Sequence, residues 1–234
     1  MAGFVRDDLP ETEVQRQRDL YEPFTQALRE LVDAGLRTLV DDEEVRAVQA
    51  EVEALTARLR AHQLDGAYGV RFSAQGRGRP WGNTVVGLRN AVAPPLRIEH
   101  HPDRDGRVWS DFHLGAVYEG PPGLVHGGVS ALLLDQLLGE SAGAGGRPGM
   151  TATLTLTYRQ GTPLGDLRGE AWIERSEEHK TWCRGHLVGP EGVTVEAEGL
   201  FILPRTWRLS RQALRILLEV APPHIDLRDL RAAI

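Results

Sequence analysis

The sequence predicts an α+β domain in which an antiparallel sheet wraps a single apolar helix. Three observations carry this reading. Strand-like segments lie on both sides of one helical run, Val129–Leu138, which is apolar nearly all round and must be buried on most sides. The strands after Thr151 are joined by short turns, as in an antiparallel meander. Residues 151–158, TATLTLTY, alternate strictly and are rich in threonine, as strands are.

Two helices precede the domain. Over residues 11–35, Val14, Tyr21, Phe24, Leu28 and Leu31 recur at helical spacing, and Pro23 predicts a kink or a later start. Asp41 is a fair N-cap for a second helix whose acidic first turn complements the helix dipole. Val45, Val48, Val52, Leu55 and Leu59 then follow alternating three- and four-residue steps. This is a narrow seam suited to another helix or to the same helix of a second subunit. Residues 1–65 are read as a helical extension and 66–83 as a Gly/Arg-rich, loop-like linker.

The main domain is expected over residues 84–205. Its predicted strands are Thr84–Asn90, Leu96–His100, Arg107–Tyr118, Thr151–Tyr158, Gly169–Ser176, Trp182–Val188 and Val193–Leu203. Residues 206–234 read as a helical tail, with Leu209, Ala213, Ile216, Leu217 and Val220 on one face.

The 234 residues suffice for one sizeable core, and a net charge of −6 argues against general nucleic-acid binding. The single cysteine, Cys183, excludes an intrachain disulfide and a multi-cysteine metal site within one chain. The first eight residues lack the apolar core of a signal peptide, and no apolar run is long enough to span a bilayer. A cytoplasmic protein acting away from membranes is therefore expected.

The candidate chemistry starts at Gly127-Gly128, after the turn Gly120-Pro121-Pro122-Gly123 and just before the apolar helix. The first amides of a helix have no internal partner, and glycine leaves them open to a ligand oxygen. Alone, the pair reads more readily as a tight turn or close packing. Asp135 alters that balance. It lies seven residues beyond Gly128, on nearly the same helical face, and its side chain leans back toward the open amides. A carboxylate among Leu132, Leu133, Leu134, Leu137 and Leu138 is costly unless partnered or used.

His126 can support such a site or cap the helix. Glu140 turns to another face and is read as a solvated or interface residue. The Thr151 hydroxyl can bind a water or a carbonyl, although β propensity alone accounts for a threonine there. Ser130 has no nucleophile-elbow context. His179 and Lys180, the chain's one lysine, sit in a predicted turn that can bind phosphate or simply be solvated. The spacing of His100, His101 and His113 with Asp103 and Asp111 matches no metal-ligand pattern, so no metal is expected.

The order Gly123-Leu124-Val125-His126-Gly127-Gly128, Leu132-Leu133-Leu134-Asp135 and Thr151–Tyr158, with Pro163 beyond, resembles the hotdog-fold acyl-CoA thioesterases of the PaaI-like branch. The resemblance covers about Pro94 to Pro204. It implies a hotdog fold and hydrolysis of acyl-CoA to free acid and CoA. The Gly128 amide would polarise the thioester carbonyl, with Gly127 beside it. Asp135 would activate water or attack directly, Thr151 would position the water or carboxylate, and His126 would support the site. Lys180 and His179 are implied candidates for the CoA phosphates. No cofactor is implied, because coenzyme A is part of the substrate. The site is expected between subunits of a homodimer or dimer of dimers, with the helix from one and the strand threonine from its partner. The alternatives are a hotdog hydratase or dehydratase, for which the sequence lacks the Asp/His pattern, and a non-catalytic acyl-CoA sensor or scaffold.

Overall fold

The structure is a computed structural model that describes residues 4–72, 78–103 and 105–204; the expected tail helix lies outside them. In chain order the elements are β1 (Phe4–Arg6), α1 (Glu11–Arg37), α2 (Asp42–Arg60), β2 (Val70–Phe72), β3 (Gly78–Arg79), β4 (Glu99–His100), β5 (Val108–Leu114), α3 (Gly127–Ala144), β6 (Met150–Tyr158), β7 (Gly165–Glu177), β8 (Lys180–Gly189) and β9 (Gly192–Ile202). A turn of 3-10 helix, Ala116–Tyr118, follows β5.

The main sheet has the order β4-β5-β7-β8-β9-β6, and every pairing in it is antiparallel. It curls around α3, as the sequence predicts. Leu133, Leu134, Leu137 and Leu138 of α3 are fully buried. Each such leucine is worth about 1.5–3 kcal/mol by area removed from water. Leu134, Leu137 and Leu138 pack with Val108, Ala171, Cys183, Leu187, Val195, Ala197 and Phe201 from the strands. Small residues let the sheet come this close. A Cβ on Gly169 would stand 2.4 Å from Leu137 Cδ1, and one on Gly185 would stand 3.3 Å from Leu138 Cδ2.

A second side of α3 is covered by loop together with the ends of β5 and β7. Val85 and Leu96 join Leu114, Val125, Leu133 and Leu167 in a second cluster. The expected strand Thr84–Asn90 is not a strand. The Asn83 side chain accepts the Val85 and Val86 amides at 2.6 and 3.0 Å, which folds the segment into turns. Likewise only Glu99–His100 of the expected Leu96–His100 strand pairs, and Arg107–Tyr118 ends as a strand at Leu114.

The N-terminal segment is tied to that loop. Helix α1 runs through Pro23 without a break and buries Val14 against Trp81 and Leu88. Arg29 donates to the carbonyls of Ala93 and Asn90, both at 2.9 Å, and Arg89 stacks on the Tyr21 ring at 3.6 Å. Strands β1, β2 and β3 form a small sheet partly within the stretch read as loop. Helix α2 buries none of its residues. Among the described residues, no helix is long and apolar enough to cross a membrane.

Candidate active site

The turn before α3 is held from several sides. Gly120 N–H donates to Leu124 O at 2.9 Å, and Gly123 takes a positive φ of 75° with its N–H on Glu119 Oε1 at 2.7 Å. His126 N–H donates to Tyr118 O, and Val125 N–H to Thr162 O. These bonds fix the point at which α3 begins. His126 is its N-cap, with extended ψ of 132°, and its carbonyl accepts from Val129 and Ser130.

The two glycine amides are not equivalent. The Gly128 N–H donates to Nδ1 of its own neighbour His126 at 3.0 Å. The Gly127 N–H has no acceptor among the described residues. Of the two, Gly127 therefore presents the open donor, and Gly128 becomes available only when the imidazole turns aside. The peptide linking the two is pinned at both ends, because Tyr158 Oη donates to Gly127 O at 2.8 Å. Sequence reasoning gave Tyr158 no role. It lies thirty-one residues away, and nothing local signals the contact.

Asp135 is partly exposed. It shares a helix face with Gly128 and Leu132, whose side chain is 40% exposed despite its size. Among the described residues, this face stays more open than the leucine faces that the sheet and the 83–96 loop cover. Asp135 Oδ1 accepts from Thr151 Oγ1 at 2.9 Å. The contact, expected from a partner subunit, lies within one chain.

A bulge makes that contact possible. In β6, Leu154 and Leu156 pack toward the core, so strict alternation would turn Thr151 away from α3. The register of β6 on β9 shifts between Thr151 and Thr153, and the extra residue, Ala152, restores Thr151 to the helix side.

The remaining candidates lie apart. Lys180 and His179 sit at the β7–β8 turn, where the His179 carbonyl accepts from Leu203 N–H. Lys180 is exposed and its neighbour Thr181 is buried, which places Lys180 on the outer face of the sheet, opposite Thr151 and Asp135. Glu140, expected to be solvated or at an interface, is not solvated in the single chain. It is partly buried, accepts from Gln136 Nε2 at 3.0 Å, and its carboxyl is pushed up by burial against the opposing pull of His100 and that hydrogen bond. The Cys183 thiol is buried and raised to about 11 by desolvation, so it is no nucleophile. Among the described residues, no cluster of His, Cys, Asp or Glu could hold a metal ion.

Known proteins resemble this chain in sequence and in fold. The profile of the thioesterase superfamily matches residues 122–196, from the turn before α3 into β9. Acyl-coenzyme A thioesterase THEM5 of Homo sapiens is 27% identical over 94 residues, which cover 39% of this chain and 38% of that protein. Acyl-coenzyme A thioesterase THEM4 of Xenopus laevis is 36% identical over 96 residues, covering 39% and 42%. The matches thus span about two fifths of these curated relatives. The crystal structure of a thioesterase superfamily protein superposes with a TM-score of 0.69 at 35% identity, covering 78% of this chain and 94% of that one. With its apolar α3 inside a curled antiparallel sheet, the chain belongs to the thioesterase superfamily and has the hotdog fold.

Proposed function

We propose that this protein hydrolyses acyl-CoA thioesters to a free acid and CoA, at a site shared between two copies of the chain. The observation that carries the reading is the Asp135–Thr151 pair, bonded at 2.9 Å on the more open face of the helix whose first amide is open. The names of the curated relatives support the same substrate class.

The chemistry follows from what each group offers. Thr151 donates to one oxygen of Asp135, orienting the carboxylate and leaving the other oxygen to take a proton from water. The hydroxide so formed attacks the thioester carbon. Negative charge develops on the carbonyl oxygen, where a backbone N–H at the positive end of a helix stabilises it. Collapse of the intermediate breaks the C–S bond, and the thiolate of CoA leaves and takes up a proton.

One copy does not bring these groups together. Eight residues separate Gly127 from Asp135, which is about 12 Å of helix. A thioester carbonyl spans a small fraction of that. In the proposed arrangement the α3 N-terminus of one subunit faces the Asp135–Thr151 pair of the other. Strand β6 supplies the means of assembly. It is a nine-residue edge strand whose outer backbone side pairs with no strand among the described residues, and such edges are covered in stable proteins. Leu132, exposed between Gly128 and Asp135, gives the acyl group an apolar contact.

A panel of acyl-CoA substrates with a thiol-trapping reagent tests the reading. Wild-type protein should release thiol from at least one substrate class. Asp135→Asn should keep its circular dichroism and lose activity by about 10²–10⁴-fold. Wild-type turnover in that variant would remove Asp135 from the mechanism.

A further inference from the structure

Helix α2 is a finished amphipathic helix that, among the described residues, buries its apolar face against no other element. Its N-cap is made, with Glu44 N–H on Asp41 Oδ1 at 3.0 Å, yet none of its residues is buried. Val45, Val48, Val52, Leu55 and Leu59 are 47, 39, 36, 50 and 53% exposed. They fall on the a and d positions of one continuous heptad register, so the helix displays a complete coiled-coil seam. An isolated helix of this length is marginal in water, and its stability must come from a packed face.

The charges specify the partner. The first turn is acidic, with Asp42, Glu43 and Glu44, and the last turn is basic, with Arg58 and Arg60. Glu51 and Arg58 flank the seam on the same side and have no ion-pair partner among the described residues. In a parallel pair the acidic starts would lie together, and Glu51 and Arg58 would meet only Thr56 and Gln63 of the other helix. In an antiparallel pair centred between Glu53 and Ala54, Val48 meets Leu59 and Val52 meets Leu55. Each Glu51 then meets Arg58 of the other copy, so the ion pair forms twice, and the helix dipoles oppose.

We propose that α2 is a self-association element, and that its occupant is α2 of a second copy of this chain, bound antiparallel in that register. The surface is separate from the β6 edge and does not depend on the hydrolytic reading.

Disulfide trapping in the full chain tests this directly. Val48→Cys, Leu59→Cys and the double variant are placed on exposed positions, where folding is not at risk. The one native cysteine is buried and reacts little. Within one helix the two new cysteines lie about 16 Å apart. That is far beyond the reach of a disulfide, about 7 Å between Cα atoms, so any bond formed is between copies. Mild oxidation under native conditions should give roughly tenfold more covalent dimer for the double variant than for either single variant. Cross-linking of the single variants as efficiently as the double would establish a parallel pair and overturn the proposal. Failure of the double variant to cross-link at any protein concentration used for the activity panel would overturn it as well. Neither result would bear on thioester hydrolysis.

Discussion

His126 decides which of the two glycine amides is open. Its ring caps Gly128, and the helix start leaves Gly127 open. Proline can separate the two, because Gly127 is the first residue of α3, where proline is favoured and removes a donor that the helix does not use, while its Cβ, 3.2 Å from Tyr158 Oη, asks that side chain to give by a few tenths of an ångström. The preceding His126, at φ −59° and ψ 132°, already has the conformation a following proline requires. Gly127→Pro is therefore expected to fold, with an unchanged melting temperature to within a few degrees. If Gly127 is the carbonyl donor, thiol release should fall by about 10²–10³-fold, the usual effect of losing one oxyanion donor. Retention of full activity would move that role to Gly128. Asp135 stood out in the sequence as a lone carboxylate among leucines, whereas Thr151 was singled out only by the family resemblance, because β propensity alone accounts for a threonine there. The His126 cap and the Tyr158 clamp were not legible, since side-chain rotation and a contact thirty-one residues distant leave no local trace.

The elements were legible in proportion to their length. Strands β5 to β9 are long enough for a period of two to stand out, and α3 is marked by apolar residues on every side. Strands β1, β2 and β3 have two or three residues each, too few for a periodicity to reveal them, and β1 pairs with β2 far along the chain. The bulge in β6 was also invisible, because TATLTLTY alternates perfectly while the backbone does not. Glu140 shows the same limit on a helix. Its spacing from Asp135 turned it away from the site, but there Gln136 and His100 of β4 stand beside it and it is partly buried. Burial raises its carboxyl above the ordinary 4.5. The folded state then holds a proton that the unfolded state has released, so stability falls as pH rises from about 4.5 through the raised folded value. Glu140→Gln keeps an acceptor for Gln136 and abolishes the titration. The variant should match wild type at pH 4 and melt higher at pH 7, by about 2–4 °C for each kcal/mol recovered. Equal melting temperatures at both pH values would show that the carboxylate is fully solvated.

At the scale of the whole molecule, the helix start and the carboxylate are about 12 Å apart on one rigid α3, and no loop motion closes that gap. A shared site makes a prediction that a self-contained site does not. Asp135→Asn lacks the base and keeps the open amide, whereas Gly127→Pro lacks the amide and keeps Asp135 with Thr151. Each alone should be nearly inactive. In a mixed dimer one site receives both lesions, and the other receives an intact amide from one chain and an intact Asp135–Thr151 pair from the other. Random assortment makes half the dimers mixed, each with one good site, so co-refolded or co-expressed variants should regain roughly a quarter of wild-type turnover. A self-contained site would leave every subunit damaged and the mixture as inactive as its components. Size-exclusion with light scattering on the same samples would establish that mixed dimers had formed, so that absence of recovery could be charged to the site and not to assembly.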